Sequence, residues 1–297
     1  MIDLDVHAHL APINPPRLAQ LQGVAWSEQS QELVLDGRRI GMKDLFHPRR
    51  LIDWMDQHQI QRALISIPPP LYRQKLDSSA ALQWANYVNQ ELLSIAHQYN
   101  ARFGALFYIP LEHPGLIPML TQEYLDNQYA GIALAAGGHP GIIYSQPAYQ
   151  PLWEALDQKK NFVFIHPGAC ADPRLSVFYL ENLLGNPYET GVAAAHLIMA
   201  NVPSRYSNIQ FCLAHAGGVL PCICGRLERG FLTRRPGIDA DHTETPLQAA
   251  RRFYTDDIAH DDSALALAKS IFGADHILYG SDWPFPMGRP QPPQKAT

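Results

Sequence analysis

Ile2-Asp3-Leu4-Asp5-Val6-His7-Ala8-His9 opens the chain and decides how the rest is read. An apolar run, predicted as a strand over Ile2–Val6, passes directly into two histidines two positions apart. Side chains alternate along a strand, so this pair points to one side, where two imidazoles can reach one ion. In a barrel of parallel strands the carboxyl ends carry the catalytic groups. If His7 and His9 mark such an end, the same pattern should recur down the chain.

It does. Short apolar or β-branched runs return at 62–67, 102–109, 130–135, 162–166, 209–215, 252–256 and 276–281. Between them, 48–58, 80–99, 116–124, 151–159, 188–202, 220–231 and 263–272 carry apolar residues at helical spacing. Alternating strands and helices with near-continuous apolar strands imply a parallel sheet covered by helices. Eight such units predict an α/β fold of the (β/α)8, TIM-like barrel type. The rival, an open doubly wound sheet, lacks the Gly-rich phosphate loop expected after its first strand. A single barrel domain accounts for residues 1–297. Within the insertion after the first strand, residues 23–45 hold a predicted β-hairpin: Glu32–Leu35, the turn Asp36-Gly37, then Arg38–Met42. It is expected near the barrel mouth as a lid. The Pro-rich tail from Pro284 to Thr297 predicts a shortened C-terminus, with the eighth helix missing or short.

Composition bounds the partners. With 46% hydrophobic and 17% charged residues, the chain reads as an ordinary globular protein. A net charge of −5 argues against nucleic acid or an anionic membrane surface as partner, since both call for a basic patch. No stretch approaches the length and apolarity of a transmembrane helix. Asp3 and Asp5 stand where a signal peptide would need positive charge. Four cysteines in a chain of this length form no disulfide framework, which points to a reducing, cytoplasmic setting.

The remaining chemistry also falls at strand ends. His166 closes Phe-Val-Phe-Ile-His, His215 closes Phe-Cys-Leu-Ala-His, and Asp282 follows Ile-Leu-Tyr-Gly-Ser. Taken singly, a histidine after an apolar strand is usually a hydrogen-bonded structural residue. Five groups converging on one rim describe a metal site, and imidazole with carboxylate suits zinc or another divalent transition ion. The fourth strand, Gly131 to Ala136, holds no lysine to carbamylate as a bridge between two metals, so one ion is expected. Trp283 and Phe285 follow Asp282 and could pack against a planar substrate or simply fill the rim.

These motifs resemble the amidohydrolase-related (amidohydrolase-2) family, and within it the aminocarboxymuconate-semialdehyde decarboxylase branch. The likeness rests on the HxH start, His166-Pro-Gly, Ala214-His-Ala-Gly-Gly218 and Gly280-Ser-Asp-Trp-Pro-Phe-Pro286. Asn186-Pro-Tyr-Glu-Thr190, Gly225-Arg226 and Phe253-Tyr-Thr-Asp256 extend it. The resemblance implies one divalent ion, zinc first and manganese as the alternative, on His7, His9, His166 and Asp282. It implies an acid/base or orienting role for His215, shared with Asp282. It implies a homodimer, and a substrate carboxylate bound by Arg226 of the same or a neighbouring subunit. One departure concerns the substrate: relatives carry a second carboxylate-binding arginine where Gly41 stands here, with Arg38 and Arg39 out of step.

A divalent ion on three neutral imidazoles and one carboxylate keeps most of its charge and activates water. Two reactions follow: hydrolysis of a lactone, ester or amide, or non-oxidative decarboxylation of a small unsaturated or aromatic carboxylic acid. The likeness along the chain favours decarboxylation; the residues alone do not separate the two. A third reading, a non-catalytic relative that binds a ligand or partner, conflicts with the presence of all five strand-end groups.

Overall fold

The computed structural model describes residues 1–158, 160–238, 242 and 244–289. Strand β1 (Ile2–His9) is followed by the insertion: helix α1 (Pro15–Leu18) and strands β2 (Val24–Ser27), β3 (Glu32–Leu35) and β4 (Arg38–Ile40). The regular alternation then runs α2 (Pro48–Gln57), β5 (Ile60–Ser66), α3 (Ser78–Gln98), β6 (Phe103–Tyr108), α4 (Ile117–Asp126), β7 (Gly131–Ala136), α5 (Gln150–Asp157) and β8 (Phe162–Pro167). It continues through α6 (Asn186–Met199), α7 (Val202–Arg205), β9 (Gln210–Leu213), α8 (Leu220–Leu232), α9 (Pro246–Ala250), β10 (Tyr254–Asp256), α10 (Asp262–Phe272) and β11 (Ile277–Leu278).

Eight of these strands form one parallel sheet in the order β1-β5-β6-β7-β8-β9-β10-β11. Closure comes at the carboxyl end. The Val6 amide donates to Tyr279 (3.0 Å), the Asp282 amide to His7 (2.7 Å) and the His9 amide to Trp283 (2.9 Å), with a parallel bridge between Ala8 and Trp283. The expected barrel is therefore present, closed by a short seam rather than a full ladder.

Two cores hold it. Inside the barrel, Val6, Leu64, Leu106, Ala133, Phe164, Cys212 and Ala214 pack together. The larger core lies between sheet and helices, where α2, for example, buries Leu51, Ile52 and Met55. Local signals start the helices. Asp77 accepts from the Ala80 amide at the head of α3 (3.0 Å), and Asp261 from the Ala264 amide at the head of α10 (2.9 Å), each satisfying an otherwise orphaned donor.

The departures have local causes. The expected helix over 188–202 divides at Asn201, whose φ of +58° breaks the helical path. The expected hairpin is present as β3 and β4, but β2 joins it to make a three-stranded antiparallel sheet. Arg73 fastens this sheet to the barrel. Its guanidinium donates to both carboxylate oxygens of Asp36 (2.6 and 2.9 Å) and to the Gln22 carbonyl (2.7 Å), and lies 4.8 Å from the Trp84 ring centre. No helix follows β11 among the described residues, and 290–297 of the expected tail lie outside them.

Candidate metal centre

β1 carries the first two groups, but not by simple alternation. Leu4 and Val6 face the inner core, so strict alternation would turn His7 and His9 outward. A register shift between Asp5 and Ala8 in the pairing with β5 reverses the sidedness. Bulges re-aim side chains beside active sites in this way. Both histidines are fully buried. The His7 ring meets Phe164 of the inner core edge-on at 4.8 Å.

His166 needs no such device, since it continues the inward parity of Phe162 and Phe164 on β8. Asp282 follows β11, its amide held on His7 and its φ at +53°. The four side chains meet. Nε2 of His7 lies 3.1 Å from Nε2 of His9, and Asp282 Oδ1 lies 3.3 and 3.2 Å from these two nitrogens. One ligand atom from each of His7, His9, His166 and Asp282 falls within 4.8 Å of every other.

The donor set fits a cation. The Asp256 carboxylate and the Pro167 carbonyl only accept, so His7 Nδ1 donates to Asp256 Oδ2 (2.7 Å) and His166 Nδ1 to the Pro167 oxygen (3.0 Å). In neutral rings the Nε2 lone pairs of both then point inward. His9 Nδ1 lies 3.1 Å from the Ser66 hydroxyl, so each of the three imidazoles has a partner on its far side. Metal-bound histidines are held in this manner. Asp282 Oδ1 is buried and has no hydrogen-bond partner. Donors about 2.0–2.1 Å from a tetrahedral zinc ion stand roughly 3.3 Å apart, close to the spacings of His7, His9 and Asp282.

Charge points the same way. Burial opposes ionisation of Asp282, yet the surrounding imidazoles, His7 foremost, hold its pKa well below the usual value. Burial also opposes charge on His7, but Asp282 and Asp256 lift its pKa to about 10. Burial keeps His9 and His166 neutral. The pocket therefore calls for added positive charge, supplied by a proton on His7 or by a cation.

His215 lies two residues beyond β9 on a turn, not on the strand as expected. Its Nε2 is 3.6 Å from Asp282 Oδ2, and its ring centre is 5.2 and 5.3 Å from those of His7 and His166. The turn is left-handed, with φ of +57° at His215 and +53° at Ala216. Such backbone costs about 1–3 kcal/mol per residue and persists only where neighbours impose it. Asp256 imposes it by accepting from the amides of His215 (2.9 Å) and Ala216 (3.0 Å), while also holding His7. In the sequence Asp256 stands out only as part of a motif and Ser66 not at all: both end strands, β10 and β5, but without a histidine beside them.

The other expected site residues are dispersed. Phe285 stands edge-on to His9 at 5.4 Å. Trp283 is buried in the larger core, and Arg226 is exposed on α8. β7 ends in Ala135 and Ala136, both buried, with no lysine.

Comparison with known proteins agrees with this architecture. The family model described as "Amidohydrolase" matches residues 4–297. The chain is 26% identical over 304 residues to 2-amino-3-carboxymuconate-6-semialdehyde decarboxylase of Dictyostelium discoideum, covering 99% of this chain and 84% of that protein. It is 30% identical over 255 residues to decarboxylase macB of Penicillium terrestre, covering 80% and 74%. Among solved structures, a Polaromonas dihydroxybenzoic acid decarboxylase with bound manganese and the inhibitor 2-nitroresorcinol superimposes with a TM-score of 0.76 at 19% identity, covering 97% of this chain and 88% of that one. A barrel closed over a buried three-histidine, one-aspartate cluster, matched by the family model along nearly its whole length, belongs to the amidohydrolase family.

Proposed function

We propose that this chain is a mononuclear, metal-dependent, non-oxidative decarboxylase of a small aromatic or unsaturated carboxylic acid. The observation that carries the reading is the buried His7, His9, His166 and Asp282 cluster, with His215 beside it, in a chain similar over most of its length to decarboxylases. The four residues would hold one divalent ion. Zinc suits the imidazole-rich set, and the manganese in the Polaromonas enzyme supports the alternative. Bound there, the ion supplies a Lewis acid that polarises a substrate oxygen.

The chain's own groups do the rest. The bond between the substrate carbon and its carboxylate breaks with the electron pair left on carbon, and that carbon takes up a proton. A conjugated or aromatic framework stores the pair. Asp282 Oδ2 and His215 Nε2 face each other across the cluster and hold or transfer that proton. Asp256 holds the His7 ring and the His215 backbone amide through one oxygen, Oδ2, and the Ala216 amide through the other. Phe285 gives a planar acid an apolar wall beside His9.

A homodimer is part of the proposal. Phe178 (85% exposed) and Tyr179 (66%) lead an apolar segment that precedes α6, and α6 packs beside α8, which carries Arg226. A second copy covering that segment is the proposed source of a substrate-binding Arg226, which is exposed on α8 and ion-paired to nothing in its own chain among the described residues. The four cysteines are unpaired, the state a cytoplasmic setting maintains.

The test combines metal analysis of protein grown with zinc or manganese and a CO2-release screen over aromatic and muconate-like acids. One ion per chain and chelator-sensitive CO2 release are expected. His215→Ala should keep the metal and lose about 10²–10⁴-fold in turnover. Acid production from lactones or esters without CO2 would assign the same centre to hydrolysis.

A further inference from the structure

Tyr72, in the loop after β5, is 3% exposed, and its hydroxyl has no hydrogen-bond partner. The half-buried Tyr279 shares this lack, but the most deeply buried tyrosines do not. The hydroxyls of Tyr87, Tyr108, Tyr144 and Tyr149, all equally buried, each donate to a backbone carbonyl. Buried polar groups are nearly always paired, and an unpaired one in an ordered place points to a missing partner.

The place is ordered. The Tyr72 carbonyl accepts from the Tyr108 hydroxyl (3.0 Å), the Leu71 carbonyl accepts from the Trp84 indole (2.6 Å), and Arg73 is clamped on Asp36. The Tyr72 ring stacks on that of Tyr108, with centres 5.3 Å apart and planes 3° from parallel. Both rings belong to the larger core, at its carboxyl-end margin where β6 ends in Tyr108. Tyr72, on the loop that follows the carboxyl end of β5, therefore lies at the face of the barrel that carries the candidate centre. Burial, and then the charge of Asp282, keep its phenol protonated and hence a donor.

Cations do not fill this role from within the chain. On the mouth loops, among the described residues, Arg17, Arg73, Arg174 and Arg289 are ion-paired, while Arg38, Arg39, Lys43 and Lys75 are exposed.

We propose that Tyr72 is a positioning residue whose hydroxyl donates to an oxygen of the acid bound beside the His7, His9, His166 and Asp282 cluster. The inference rests on the site being one for aromatic or unsaturated acids. It narrows the class, because a neutral donor compensates less charge than a guanidinium. An acid with a single carboxylate needs nothing further from the chain, whereas a dicarboxylate would depend on Arg226 in the dimer.

The experiment compares metal-loaded wild type with Tyr72→Phe, which keeps the ring and its stack on Tyr108. Calorimetric titration with 2,6-dihydroxybenzoate and 6-methylsalicylate gives Kd, melting gives Tm, and CO2 release is recorded separately. The expected result is about tenfold weaker binding, or about 1.4 kcal/mol, with Tm unchanged or raised. For any acid turned over, KM should rise more than kcat falls. A wild-type Kd in Tyr72→Phe, a lowered Tm, or no binding of either acid to wild type overturns the proposal. An acid that binds through Tyr72 without releasing CO2 refutes decarboxylation and leaves the role of Tyr72 standing.

Discussion

Asp256 is fully buried and accepts from His7 Nδ1, from the amides of His215 and Ala216, and from the Ile258 amide (3.1 Å). Every partner is a donor, so an ionised carboxylate is the one side chain of this size that satisfies them all. In Asp256→Asn the amide nitrogen must face at least one N–H, and His7 loses its orientation whenever it faces that ring. Metal affinity should fall about 10–100-fold, read by competition with a chromogenic chelator. An unchanged affinity would show that His7 is oriented by packing alone. The raised His7 pKa adds a pH prediction for metal-free protein. Folding takes this pKa from 6.5 to about 10, so its contribution to stability is complete below pH 6.5 and declines toward pH 10. Between pH 7 and 8.5 the folded chain holds a proton that the unfolded one has released, and stability falls by at most about 1.4 kcal/mol per pH unit. Denaturant melts of metal-free protein should show this slope; stability that holds or rises across that window would mean His7 is neutral there. The candidate ligand histidines stood out in the sequence because each lies at the end of a hydrophobic strand. Asp256 ends one too, yet an acid that holds a neighbouring imidazole looks no different, in one chain, from an acid that caps a loop.

At the scale of elements, the insertion sheet depends on an asymmetric ion pair. The Arg73 side chain is 2% exposed and that of Asp36 is 50% exposed. Removing Asp36 strands a buried guanidinium, while removing Arg73 leaves a carboxylate that water can reach. Asp36→Ala should therefore cost more than Arg73→Met, about 1–3 kcal/mol after discounting for the exposed partner. Urea unfolding of the two variants checks the order, and hydrogen exchange should show β2–β4 opening first. If Arg73→Met proves the more harmful, the guanidinium stabilises chiefly by stacking on Trp84. The hairpin itself was readable, since Asp36-Gly37 suits its tight turn. Strand β2 was not, because Val24–Ser27 is short and alternates between half-buried and exposed positions. The break at Asn201 was also hidden, because the sequence on both sides keeps helical spacing.

Across the whole molecule, the barrel followed from a repeated pattern, whereas the manner of its closure did not. Periodicity reports burial of each strand, and β11 is too short and too partly buried to announce how it meets β1. The same seam is where the candidate centre draws its ligands: His7 and His9 from β1, Asp282 from just beyond β11, and His166 from β8 across the barrel. Three backbone hydrogen bonds and one bridge, all from residues 279–283 just past β11, close the sheet onto β1, whereas β7 and β8 pair through five residues. A cation bound to these ligands would tie this short seam to the opposite wall. Ligation at a thousandfold excess over Kd stabilises the native state by about 4 kcal/mol. Chelation should accordingly lower Tm, and its local effect should be uneven. Amide exchange at 6–9 and 279–283 should accelerate well before that of β7 and β8. Uniform acceleration, or none at the seam, would mean that the barrel closes without help from the centre. A protected seam in metal-loaded protein that opens on chelation would show that one set of side chains serves both the chemistry and the closure.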